Sequence, residues 1–121
     1  MRITAITPML RTWDLPATIE FYAKTLGFAC ERHDEESGWA ALNRDGCSIL
    51  LSGPNEHEGD RAPAFTGSLY FRVTDVAALW AQIKERVRVC YPLEDFPYGM
   101  REFGVYDNNG YLLQFGQEVG R

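Results

Sequence analysis

Apolar and polar residues alternate along this chain in two rhythms, and the same succession of rhythms comes round twice. From about Ile3 to Arg11 the pattern suits a strand. Leu15, Ile19, Tyr22 and Leu26 then recur at helical spacing, which predicts a helix buried along that stripe. Asp14 precedes it as an N-cap, and Pro16 falls in the first turn, where a missing N–H costs little. Gly27 suits the left-handed residue that stops a helix. Three strands should follow, at Phe28 to His33, Trp39 to Asn43 and Cys47 to Ser52. The last two are joined by the tight turn Asn43-Arg44-Asp45-Gly46.

Residues 53–66 (GPNEHEGDRAPAFT) break both rhythms with Gly, Pro and charge, and read as a linker. The plan then repeats. Ser68 to Val73 reads as a strand. Asp75 caps a helix with Val76, Leu79, Trp80, Ile83 and Val87 on one face. Strands are expected near Arg88 to Tyr91, Met100 to Tyr106 and Tyr111 to Gln117, with Asp107-Asn108-Asn109-Gly110 as a hairpin turn. Leu10-Arg11-Thr12-Trp13-Asp14-Leu15 aligns with Phe71-Arg72-Val73-Thr74-Asp75-Val76. Asp45-Gly46-Cys47-Ser48-Ile49-Leu50-Leu51 aligns with Asn109-Gly110-Tyr111-Leu112-Leu113-Gln114-Phe115, in the same order. The expectation is a single α+β domain over residues 1–121, made of two βαβββ modules at 1–52 and 67–121. One helix can cover only one face of each sheet, so a curved mixed sheet should enclose an open trough, and function should sit there.

Length and composition narrow the classes. A chain of 121 residues, 45% hydrophobic and 24% charged, is one ordinary globular domain. The net charge of -5 argues against a nucleic-acid partner and suits a cationic ligand. Cys30, Cys47 and Cys90 are odd in number and irregular in spacing, which reads as reduced thiols and a cytoplasmic location. No apolar run reaches bilayer length, and the N-terminus does not read as a signal peptide, so no membrane association is expected.

Two segments carry a family resemblance. Leu10-Arg11-Thr12-Trp13-Asp14-Leu15, then Phe21-Tyr22, then Leu26-Gly27-Phe28, resembles the opening signature of the vicinal-oxygen-chelate superfamily, which includes glyoxalases, bleomycin-resistance proteins and dioxygenases. Phe103-Gly104-Val105-Tyr106-Asp107-Asn108-Asn109-Gly110-Tyr111-Leu112-Leu113-Gln114-Phe115 resembles its closing signature. The resemblance implies the two-module fold. It also implies that metal-holding members place ligands on the first and last strands of each half, here Thr7 and Leu50, then Ser68 and Gln114. Those side chains are two hydroxyls, an aliphatic group and an amide, a poor set for Zn, Fe or Ni. His33 and His57 sit in polar, surface-like stretches. Neither a metal nor any other cofactor is expected, which sets aside lactoylglutathione lyase and extradiol dioxygenase chemistry.

The chain is thus most similar to the metal-free bleomycin-resistance-like members, which the resemblance describes as homodimers with ligand crevices at the subunit contact. Candidate ligand-binding residues are Met9, Trp39, Leu50, Phe65, Ser68, Tyr70, Tyr98, Met100, Glu102 and Gln114. Phe65 and Tyr98 stand out because they lie in Pro- and Gly-bearing loops. If the closing hairpin loops through Asn108-Asn109-Gly110, Gly104 opposes Gln114, and Met100 and Glu102 share its face. The first expectation is a protein that sequesters a cationic or aromatic small molecule, as in antibiotic resistance. The alternative is a metal-independent lyase or isomerase with Glu102 as general base and Tyr70 or Tyr98 as proton donor.

Overall fold

The computed structural model describes residues 1–54 and 61–120. The chain divides into two compact units, Met1–Ala64 and Phe65–Arg121. Each is a four-stranded mixed sheet with one helix.

The first unit runs β1 (Met9–Arg11), α1 (Leu15–Leu26), β2 (Ala29–Asp34), β3 (Trp39–Arg44) and β4 (Cys47–Ser52), in the sheet order β1-β4-β3-β2. The Asp14 carboxylate accepts the Ala17 N–H at 3.0 Å and starts α1. Gly27, at φ 72°, turns the chain out of it. The buried stripe of α1 is Leu15, Thr18, Tyr22 and Leu26, and Ile19 is only half-buried. Thr18 takes the place expected for Ile19 because its hydroxyl has partners: it bonds the buried Thr12 hydroxyl at 2.8 Å and donates to the Asp14 carbonyl at 2.9 Å. Ala40, Leu42, Ile49 and Leu51 face the core.

β1 is far shorter than the strand expected from Ile3. Its parallel pairing to β4 begins at Met9↔Leu50, with one further bond from the Leu50 N–H to the Pro8 carbonyl. Pro8 has no N–H to continue the ladder, and Ile3 and Ile6 remain 84% and 95% exposed.

The second unit runs β5 (Leu69–Arg72), α2 (Val76–Ile83), β6 (Arg88–Asp95), β7 (Met100–Tyr106) and β8 (Leu112–Glu118), in the order β5-β8-β7-β6. Asp75 caps α2 through the Ala78 N–H at 3.1 Å. The helix ends at Ile83 without a glycine, and the Arg86 N–H tightens the exit by bonding the Ile83 carbonyl. Val87, expected on its buried face, therefore lies beyond it. Trp80 packs on Phe103 at 5.0 Å between centroids, Phe103 stacks on Phe115 at 5.2 Å, and Phe115 stacks on Phe71 at 5.0 Å. This aromatic run, with Val105, Leu113 and Ile83, is the unit's core.

β6 runs four residues further than expected and carries two register shifts against β7, at Val89/Tyr91 and at Tyr91/Glu94. Pro92 is accommodated because β6 is an edge strand. No helix among the described residues is long and apolar enough to cross a membrane.

Candidate functional site

In the second unit, the sheet face turned away from α2 is set by the β7–β8 register. Gly104 lies opposite Gln114 and Glu102 opposite Gly116, while Phe103 and Val105 pair with Phe115 and Leu113 on the core side. Successive side chains alternate between faces, so Glu102 and Gln114 share the face that Tyr70 joins from β5, where it is paired to Gln114.

These residues form one hydrogen-bonded chain. The Tyr70 hydroxyl donates to Glu102 Oε1 at 3.0 Å, and the Tyr91 hydroxyl donates to Glu102 Oε2 at 2.5 Å. The Gln114 Nε2 group donates to the Tyr91 oxygen at 2.8 Å. The Ser68 hydroxyl donates to Gln114 Oε1 at 2.5 Å. Glu102 is 2% exposed, yet among the described residues no Lys, Arg or His forms an ion pair with it. A carboxylate this buried is costly without a counter-charge, and here the phenols of Tyr70 and Tyr91 each donate a hydrogen bond to it.

Two glycines make room for those phenols. A Cβ on Gly104 would stand 2.4 Å from the Tyr91 ring. A Cβ on Gly116 would stand 2.0 Å from the Tyr70 hydroxyl oxygen and 3.1 Å from the Met100 methyl. The phenols therefore lie directly on the backbone of β7 and β8. Desolvation raises the pKa of Tyr70 to about 12, with the hydrogen bond to Glu102 and its charge adding to the shift. Tyr91 is pushed up further, by desolvation first and by Glu102 next. Tyr98, in the β6–β7 loop, is raised by the same two causes, so three phenols surround one carboxylate.

Of the ten residues expected to bind ligand, Ser68, Tyr70, Tyr98, Met100, Glu102 and Gln114 gather on this face. Phe65 lies against Gly67, is 54% exposed, and stays outside the network. Met9, Trp39 and Leu50 belong to the first unit, on its sheet face opposite the core, with Met9 paired to Leu50 and the Arg32 guanidinium 5.1 Å from the centre of the Trp39 ring. Tyr91 is the participant that sequence reasoning missed. The register shift around Cys90 changes which face it meets, and the one signal of its approach is a glycine, Gly104, in mid-strand.

The strand positions matched to family metal ligands do not suit a metal. Thr7 precedes β1 and is exposed, Leu50 is aliphatic, and both ends of the Gln114 amide are already bonded. His33 is exposed on β2, and His57 lies outside the described residues. Among the described residues, no group of three or more His, Cys, Asp or Glu side chains is placed to hold a metal ion.

Fold and sequence pattern together define the class. The family description "Glyoxalase/Bleomycin resistance protein/Dioxygenase superfamily" matches residues 2–115, and the chain belongs to that superfamily. No curated protein matches it. Among solved structures, it is similar to a glyoxalase/bleomycin resistance protein/dioxygenase from Nocardioides, at 17% identity and a TM-score of 0.79, over 98% of this chain and 86% of that one. It is similar to TioX from Micromonospora sp. ML1 at 19% identity and a TM-score of 0.76, over 96% and 99%. It is also similar to a bleomycin-binding protein crystallised with bleomycin, at 23% identity and a TM-score of 0.72, over 97% and 100%. At these identities the likeness speaks to the fold.

Proposed function

We propose that this chain is a metal-independent small-molecule-binding protein, which takes a cationic organic ligand on the open face of its second sheet and sequesters it. One observation carries the reading. Glu102 is a buried carboxylate with no basic partner among the described residues, held at the centre of a functional-looking face by groups that donate hydrogen bonds but bring no positive charge. A ligand ammonium or guanidinium would supply that charge. Tyr98, which is 63% exposed, and Met100 offer flat, polarisable contacts around it. A solved relative in fold binds bleomycin, which makes bleomycin the first ligand to try and antibiotic resistance the first role to test.

Titration calorimetry with bleomycin and a panel of large organic cations tests this. Binding that falls at least tenfold in Glu102→Gln is the expected result, by the strength of charge-assisted contacts of roughly 1.5–3 kcal/mol. Binding indifferent to Glu102→Gln, or stabilisation by divalent metals alone, would overturn it. The reading includes a homodimer, which sedimentation equilibrium checks directly.

The lyase or isomerase alternative asks Glu102 to accept a proton and Tyr70 or Tyr98 to give one. Both Glu102 oxygens already accept phenol hydrogens, and desolvation together with the neighbouring Glu102 raises the pKa of both Tyr70 and Tyr98, which makes each a weaker acid. The geometry therefore favours binding over proton transfer.

A further inference from the structure

Tyr70 occupies its place on the second sheet in an unusual way. Its phenol lies so low over β8 that the oxygen sits 2.0 Å from where any Cβ at position 116 would stand, and its Cζ 2.7 Å from it. Gly116 is itself buried in mid-strand, where glycine costs roughly 0.5–1 kcal/mol relative to alanine. The space above Gly116 that a Cβ would take is thus held by the oxygen end of the Tyr70 phenol, with the Met100 methyl beside it. Yet Tyr70 is 43% exposed and holds the site by one hydrogen bond, to Glu102 Oε1 at 3.0 Å. Tyr91 is different. It is held at its oxygen by both Glu102 and Gln114, and its ring meets Phe96 edge-on at 5.8 Å.

We propose that Tyr70 is a displaceable plug, and that the slot over Gly116 is a recognition subsite for a flat aromatic cation bearing N–H donors, such as an aryl amidinium. The proposal rests on Glu102 being the ligand's anchor, as argued above. When the Tyr70 side chain rotates out, it uncovers three things at once. These are the space its ring had occupied beside the bare backbone of Gly116, the Met100 methyl next to it, and a carboxylate oxygen relieved of the Tyr70 donor. A ring of similar width would replace the phenol, and its N–H would replace the phenol O–H on Oε1. A cation does this better than a neutral phenol, because Glu102 has no other positive partner among the described residues. Tyr91 stays in place and keeps Oε2 oriented.

The test is calorimetry with benzamidine on the full chain, with benzoate as a control of the same shape and opposite charge. Tyr70→Val, which keeps a strand-favouring side chain, should bind benzamidine roughly fivefold or more tightly than the wild type, because the slot no longer has to be vacated. Tyr70→Thr should repeat the gain and stands in if the first variant fails to fold. Adding Gly116→Ala to either should return the affinity to the wild-type level or below, since the new Cβ fills the vacated slot. Glu102→Gln in the same background should weaken binding by about tenfold or more. Benzoate should bind none of them. If the Tyr70 variants bind no tighter than wild type while Glu102→Gln still abolishes binding, the plug is overturned and Glu102 remains the anchor. If benzamidine binds every variant equally, or none, the plug is overturned too. The bleomycin titration then judges the broader function separately.

Discussion

The ring of Tyr91 rests on Gly104, so close that a Cβ there would fall 2.4 Å from Cε1, 2.9 Å from Cδ1 and 3.0 Å from Cζ. This pairing across β6 and β7 is what lets a buried carboxylate two residues away keep one of its donors. Gly104→Ala should therefore displace Tyr91, which is held at its oxygen and cannot yield easily. A loss of about 2 kcal/mol is expected, within the usual cost of overpacking. Gly116→Ala should cost less than half as much, because Tyr70 can swing toward solvent. Urea unfolding of the two variants beside wild type decides the order, and equal losses would show that both phenols are equally fixed.

Removing the Tyr91 hydroxyl alone tests the network without steric change. In Tyr91→Phe, Glu102 Oε2 loses its donor and Gln114 Nε2 its acceptor. Two polar groups left wanting should cost roughly 2 kcal/mol. Tyr70→Phe should cost about 1 kcal/mol or less, since water can reach its place. Denaturation midpoints at constant m-value give both numbers.

Alkaline titration should show the phenols directly. Burial raises Tyr70 to about 12 and Tyr91 further, with Glu102 adding to both. A folded-state pKa above the unfolded value of about 10 means stability that is complete below pH 10 and lost as pH rises through 12 and beyond. Absorbance at tyrosinate wavelengths should therefore rise late, together with unfolding. In Glu102→Gln the onset should move to lower pH by part of the shift only, because desolvation is the larger cause. A titration unchanged by that substitution would remove Glu102 from the account.

The turn at Asp107 offers a purely structural check. Its buried carboxylate accepts the Asn109 N–H at 2.8 Å and the Tyr111 N–H at 2.9 Å, fixing the hairpin that sets the β7–β8 register. Asp107→Ala should cost about 2 kcal/mol. Asp14→Ala, which removes one exposed cap bond, should cost about 1 kcal/mol. Thermal melts of the pair suffice to rank them.

Much of this architecture could be read from local signals. Asp14, Asp75 and Gly27 mark helix ends by chemistry that acts within a turn, and they do so in the structure. Gly110 and the apolar pairing around it foretell that Gly104 meets Gln114, which places Glu102 beside Tyr70. What stayed hidden depends on tertiary pairing. Ile3 to Thr7 has strand composition, but β1 joins the β4 ladder only from Met9. Thr18 outranks Ile19 in the core because of a partner, Thr12, that periodicity does not see. Tyr91 was hidden by the shift around Cys90, since period-two alternation fails wherever a bulge intervenes.

The irregularity of β6 has a further effect on how the molecule behaves in concentrated solution. A long, straight outer strand offers its amides and carbonyls as a template on which other chains can stack into fibrils. Here Pro92 has no N–H to offer, and two register offsets within eight residues interrupt the regular spacing of the strand. The distortion that brings Tyr91 to Glu102 thereby also guards the sheet against self-propagating growth.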